Sequence, residues 1–136
     1  MNPSNDRPVP TGWRAFFLVA GLYDALLGLG FLLAGETILT DLGMKLPPHI
    51  AYIHLSAIFI AVQGLSYLLV YRDPRSNLGI VWVGVAYKAS SAALVIYYLA
   101  VGQLPSQFFI PWAVFDLGFM VGFLAFLRAA MGTRTA

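Results

Sequence analysis

Four apolar runs of about twenty residues each, separated by short stretches of turn-forming residues, leave this 136-residue chain few ways to fold. The runs are Trp13–Ala34, Ile50–Tyr71, Leu78–Val101 and Phe108–Arg128. At about 1.5 Å rise per residue, each is long enough as a helix to cross a hydrocarbon core about 30 Å thick. Between them stand Pro47-Pro48, Asp73-Pro74 and Gly102-Gln103-Leu104-Pro105-Ser106, which break helices rather than merely add polarity. The pattern predicts an all-α integral membrane protein, a four-helix bundle occupying residues 13–129. Residues 1–12, with three prolines, read as a disordered, solvated tail, and residues 130–136 as a second tail. Only the first loop, Gly35 to His49, has room for structure of its own, where Ile38, Leu39, Leu42, Met44 and Leu46 suit a short helix on the membrane surface.

Composition excludes the soluble alternative. Hydrophobic residues make up 60% of the chain and charged residues 10%, against about 25% charged in soluble domains. A small soluble fold buries too little surface to hide so much apolar area. The eight Lys and Arg residues form no run or stripe, so the net charge of +2 does not signal nucleic acid. With no cysteine, the chain has no disulfide, thiol nucleophile, thiolate metal site or iron–sulfur cluster. The run from Ala15 to Ala34 exceeds the apolar region of a cleaved signal and reads as an uncleaved first helix.

The basic residues outside the spans predict orientation. Arg7 and Arg14, Arg72 and Arg75, and Arg128 and Arg134 belong to the termini and the second loop, whereas the first and third loops carry only Lys45. By the positive-inside rule, both termini are expected in the cytoplasm, the membrane being most simply a bacterial inner membrane. Trp13, Tyr71 and Trp82 then fall near the inner interface, and Tyr52, Tyr97, Tyr98 and Trp112 near the outer one. Aligning Ala57–Arg72 with Ala113–Arg128 matches Phe59 to Phe115 and Leu68 to Leu124. Setting Tyr23-Asp24 beside Tyr87-Lys88 extends this to an expected pair of helical hairpins related by an axis along the membrane normal.

Function has to be sought in the few polar side chains inside the spans, because helix backbone groups are already paired. Asp24, Lys88 and Asp116 fall within a turn or two of one plane. A lone charge there costs roughly 2.5–3.5 kcal/mol on insertion scales, so pairing is expected. Either Lys88 bridges the two aspartates as a structural tie, or the three form an ionic centre for a ligand or a proton. Two carboxylates against one ammonium leave a negative charge unless one acid keeps its proton.

The wheel positions around Asp24 and Lys88 include Gly21, Gly28, Gly84 and Ala92, small residues that let helices approach closely. On the fourth helix, Gly118 and Gly122 form a second packing face, while Trp112, Phe119 and Phe123 give the Asp116 side an aromatic lining. Gln63 shares a face with Tyr67 on the second helix, and His54 lies half a turn away, nearer the outer surface. Asp24, Lys88, Asp116, Gln63, His54, Trp112 and Tyr67 are thus the candidates for ligand binding or proton relay. No residue set reads as catalytic. His49 and His54, the only histidines, do not share a face, and no metal site is expected.

Arg14 before a first helix dotted with Gly21, Gly28 and Gly30, followed by three further spans, resembles the DoxX-like group of small four-helix membrane proteins. The likeness covers most of the chain as topology and glycine texture, and implies a quinone-side or accessory role. The sterol-isomerase-like four-helix family is a more distant likeness, its intramembrane acids being largely glutamates, which no span here contains. The leading expectation is a non-catalytic accessory subunit or a bundle binding a small lipophilic ligand, a quinone or lipid, self-associating or docked in a larger membrane complex. The alternatives are a small proton- or ion-coupled transporter, or an isomerase or oxidoreductase using the intramembrane Asp and Lys residues.

Overall fold

A computed structural model describes residues 9–132 as four helices: α1 (Thr11–Asp41), α2 (Ala51–Arg72), α3 (Leu78–Ala100) and α4 (Phe109–Gly132). All four are long and apolar enough to cross a membrane, and no strand occurs among the described residues. Most of the two expected tails, with Arg7 and Arg134, lies outside those residues. The helices overrun the expected limits by two residues or more at three points. α1 begins two residues early and α4 continues to Gly132, both extending regular backbone pairing beyond the apolar run.

The third overrun is larger. α1 does not stop at Ala34 but breaks there, with φ −135° and ψ 17°, and resumes as helix to Asp41. Beside the break, Gly35 offers no Cβ, and the Ile53 Cγ2 methyl occupies the space one would need. The turned segment folds Leu39 into a small buried cluster with Phe31, Ile53 and Ala57. The short helix expected in the first loop is therefore a kinked continuation of α1.

Two loops end helices in the same way. The Gly43 N–H donates to the Thr40 carbonyl and Met44 N–H to that of Leu39, both at 2.9 Å. Gly102 N–H donates to Leu99 and Gln103 N–H to Tyr98 at 3.2 and 2.9 Å. Each is a Schellman turn, which needs a left-handed residue, and the glycines stand at φ 69° and 68°. Pro111 lies in the first turn of α4, where its missing N–H removes no helical bond. In the loop between α2 and α3, the Asp73 carboxylate accepts from the Ser76 N–H at 3.2 Å. Bonds from the Ser76 side chain and backbone hold that carboxyl below its usual range.

The chain packs as two hairpins, α1–α2 and α3–α4, set side by side. α1 and α2 lie against each other backbone to backbone: a methyl at Gly28 would stand 2.6 Å from the Ala57 carbonyl oxygen, and one at Gly64 2.7 Å from that of Gly21. Between α1 and α4, by contrast, aromatic rings fill a wider gap. Phe17 stacks on Phe123 with centroids 5.6 Å apart, and Phe126 meets Phe17 edge-on at 4.9 Å. With Tyr67, Val70, Val81 and Leu127 these rings form the larger core cluster, on the side of the termini and the second loop. The Phe31–Leu39–Ile53–Ala57 cluster lies toward the other end.

At the terminal side, Arg14 reaches across from α1 to the end of α2. Its Nε donates to the Tyr71 carbonyl and its Nη2 to that of Arg72, both at 3.2 Å. The guanidinium also sits over the Tyr71 ring, 5.5 Å from its centroid. A cation thus meets the orphan carbonyls at the negative end of the helix dipole.

Candidate functional site

Between the two apolar clusters lies a charged layer. Lys88 Nζ on α3 donates to Asp24 Oδ1 on α1 at 2.7 Å and to Asp116 Oδ1 on α4 at 2.8 Å. All three residues are 0% exposed. Small neighbours stand one turn away on the same helices: Gly21 and Gly28 flank Asp24, and Gly84 and Ala92 flank Lys88. Gly84 has a particular partner, since a methyl there would lie 2.7 Å from Cε1 of Tyr67. The small residue on α3 thereby admits a fully buried tyrosine from α2.

An ammonium has three protons, and two are used on the aspartates. Around the rest of Nζ stand the rings of Tyr87, Tyr23 and Phe119, with centroids at 5.1, 5.4 and 5.5 Å. Ring faces are electron-rich and attract a cation within about 6 Å, most strongly where water is excluded. Lys88 is thus held by two carboxylates and a three-ring cage. So enclosed, Lys88 and both aspartates are sealed from the surface in this conformation.

The carboxylates are less well satisfied than the lysine. Asp24 Oδ2 and Asp116 Oδ2 are both enclosed with no hydrogen-bond partner, as are Gln63 Nε2, Tyr67 Oη and Trp112 Nε1. Buried polar atoms are normally paired, so these orphans among the described residues mark the bundle interior as chemically unusual. Tyr67 is wholly buried, and the side chain of Gln63 one turn earlier is its polar neighbour, outside hydrogen-bonding geometry.

The predicted residues thus divide. Asp24, Lys88 and Asp116 come together in direct contact, with Gln63 and Tyr67 contributing unpaired groups from α2. Trp112 stands one turn from Asp116 but faces a separate cavity. His54 is exposed on the outer half of α2 and touches none of the triad. Among the packing glycines, Gly21 and Gly28 press against α2, and Gly122 lies under the Phe16 ring. Gly118 faces open space, with nothing within 4 Å of a methyl placed there. Sequence reading passed over Gly64 and the cage rings of Tyr23 and Tyr87. The small-residue row Ala57, Ala61, Gly64 was the available signal for the first.

The cavity lies between α1, α2 and α4 at the end away from the termini. It holds about 340 Å³ and is walled chiefly by Phe31, Ile53, Ile60, Phe109 and Trp112, with Tyr52 and Ser56 as its polar residues. Leu39, carried there by the kinked end of α1, closes one side. Among the described residues, no group of His, Asp or Glu side chains is arranged to hold a metal ion. The chain matches no protein-family model, no curated protein and no solved structure.

Proposed function

We propose that this protein is a non-catalytic multi-pass membrane protein that holds a small lipophilic ligand drawn from the bilayer. The observation that carries this reading is the apolar cavity of about 340 Å³, which falls in the size range of small-molecule sites. Its aliphatic and aromatic walls gain dispersion contacts from an apolar occupant, and the Ser56 and Tyr52 hydroxyl oxygens can accept from a polar end, the Ser56 proton being donated to the Tyr52 carbonyl at 2.9 Å. A lipid chain or a quinone ring has that chemistry. The resemblance to DoxX-like proteins favours the quinone, and with it an accessory role in a larger complex.

A second aspect concerns partners. Only 22–33% of the most apolar stretch of each helix is buried within the chain, so lipid or other helices must cover the rest. Short loops leave little else for a partner to grip, which favours a homo-oligomer or a membrane complex. The membrane is proposed to be a bacterial inner membrane with both termini in the cytoplasm.

The test is native mass spectrometry of protein extracted in mild detergent, with lipid extraction of the same sample. A lipophile bound in stoichiometric amount is expected, and Ser56→Trp, which fills the cavity from its edge, should release it while the protein stays folded. A bare protein, or a ligand unaffected by Ser56→Trp, would overturn the assignment. Small-ion transport is the competing reading, favoured by the buried charges. Proteoliposome flux that Asp24→Asn and Asp116→Asn abolish would replace ligand binding with it.

A further inference from the structure

We infer that the Asp24–Lys88–Asp116 centre is a proton-binding site, with one proton held on the two aspartates at neutral pH. The argument stands on charge and geometry, independently of what fills the cavity. Two acids and one base are enclosed together at 0% exposure. With both acids ionised the layer carries one uncompensated negative charge between four apolar helices, where a charge without a partner is expelled or neutralised.

Among the described residues, nothing else near the centre supplies the missing positive charge. The side chains around it are Tyr23 from α1, Tyr67 with its neighbour Gln63 from α2, Tyr87 from α3 and Phe119 from α4. None of these is a base, and the tyrosines are neutral in the physiological range. Arg14 lies at the terminal end, bonded to the α2 carbonyls. A metal cation is a poor substitute. Hard cations want six or more oxygen ligands, whereas Lys88 already holds one oxygen of each carboxylate and aromatic rings close the other sides of its ammonium.

The geometry also says where the proton sits. Each aspartate gives Oδ1 to Lys88 and leaves Oδ2 enclosed and unpartnered. Protonating one Oδ2 turns an unsatisfied anionic acceptor into a neutral hydroxyl and leaves both Lys88 bonds intact. The remaining carboxylate and the ammonium then form a balanced pair. Only one of the two carboxyls needs the proton, so the site holds one and not two.

Infrared spectroscopy of the full-length protein in nanodiscs, in H₂O and D₂O at pH about 7, reads this directly, because exposed carboxyls are ionised there. Wild type should show one protonated-carboxyl stretch that shifts in D₂O. Asp24→Asn and Asp116→Asn should each remove it, since the surviving carboxylate is matched by Lys88. Lys88→Met should double its intensity, since both acids then hold protons. Absence of the band in wild type overturns the proposal, whether or not the variants fold. So does a band that survives both single substitutions, because it would then arise from Asp6, Glu36, Asp41 or Asp73. A wild-type band that disappears on adding sodium would assign the site to a cation instead.

Discussion

Lys88 is the residue on which the bundle's electrostatics turn, because it faces both Asp24 and Asp116. Lys88→Met removes the counter-ion and leaves two acids in the interior. Breaking a buried pair in this way typically costs about 3–5 kcal/mol. An independent route gives a similar figure: keeping a second carboxyl protonated at pH 7 costs about 4 kcal/mol against its ionisation in water. The expected outcome is a sharp fall in the melting temperature of Lys88→Met in detergent, smaller at pH 5 than at pH 7 because acid supplies the proton. Adding Asp24→Asn and Asp116→Asn in that background should restore much of the loss, since amides need no counter-charge. An unchanged melting curve for Lys88→Met alone would mean the lysine is not enclosed between the carboxylates.

This part of the site was legible in the sequence, because three ionisable residues within apolar runs at similar depth have to find one another. The surrounding cage was not. Whether Tyr23, Tyr87 and Phe119 turn toward Nζ depends on the rotation of three helices about their axes, and apolar runs with little polar contrast do not specify that rotation. Arg14 shows the opposite limit. Its charge marked topology, whereas its bonds to the α2 carbonyls depend on a neighbour 57 and 58 residues away.

At the scale of elements, the helices are not joined by one kind of contact. The α1–α2 seam is backbone on backbone, and its glycines are fixed by space. A side chain at Gly28 or Gly64 meets backbone atoms of the facing helix, which cannot move aside as a side-chain tip can. Overpacking of this sort costs about 1–3 kcal/mol, and more where backbones must separate. Gly64→Val and Gly28→Val should therefore lower stability well beyond that range's lower end, while Gly118→Val, which meets open space, should stay within about 0.5 kcal/mol. Thermal melts of the three variants check this. Equal effects at all three positions would contradict the seam. If Gly118→Val left stability unchanged yet dissociated an oligomer, that face would belong to contacts between copies. The glycines of α1 revealed half of this seam, whereas on α2 the signal was the weaker row Ala57, Ala61, Gly64, in which alanines stand where a second glycine would have marked the face. The kink at Ala34 had no sequence marker either, since Gly35 alone does not say where Ile53 will press.

At the scale of the whole molecule, the layers run from an aromatic core through the ionic centre to a looser apolar end with the cavity, and the charges follow the same axis. Arg14, Arg72 and Arg75 gather at the aromatic end, where Arg14 bonds to the end of α2 and Arg75 lies beside Trp13 and Phe126. Arg128, near the end of α4, is exposed on the same side, while Lys45 lies in the loop at the other. Short flanking segments with excess Lys and Arg stay on the cytoplasmic face during insertion. A reporter fused after Ala136 should thus be active only as a cytoplasmic probe, and one inserted after Pro47 only as an external probe. The cavity would then lie in the outer half of the bilayer, open to lipids of that leaflet, and the ionic centre near mid-depth. The reverse pattern would put the cavity in the inner leaflet and show that the arginines serve helix ends such as that of α2 rather than topology. Moving positive charge separates these outcomes further: replacing Arg72, Arg75 and Arg128 by Gln while adding lysines to the first loop should produce a mixed population if charge sets the orientation, and leave it unchanged if packing does.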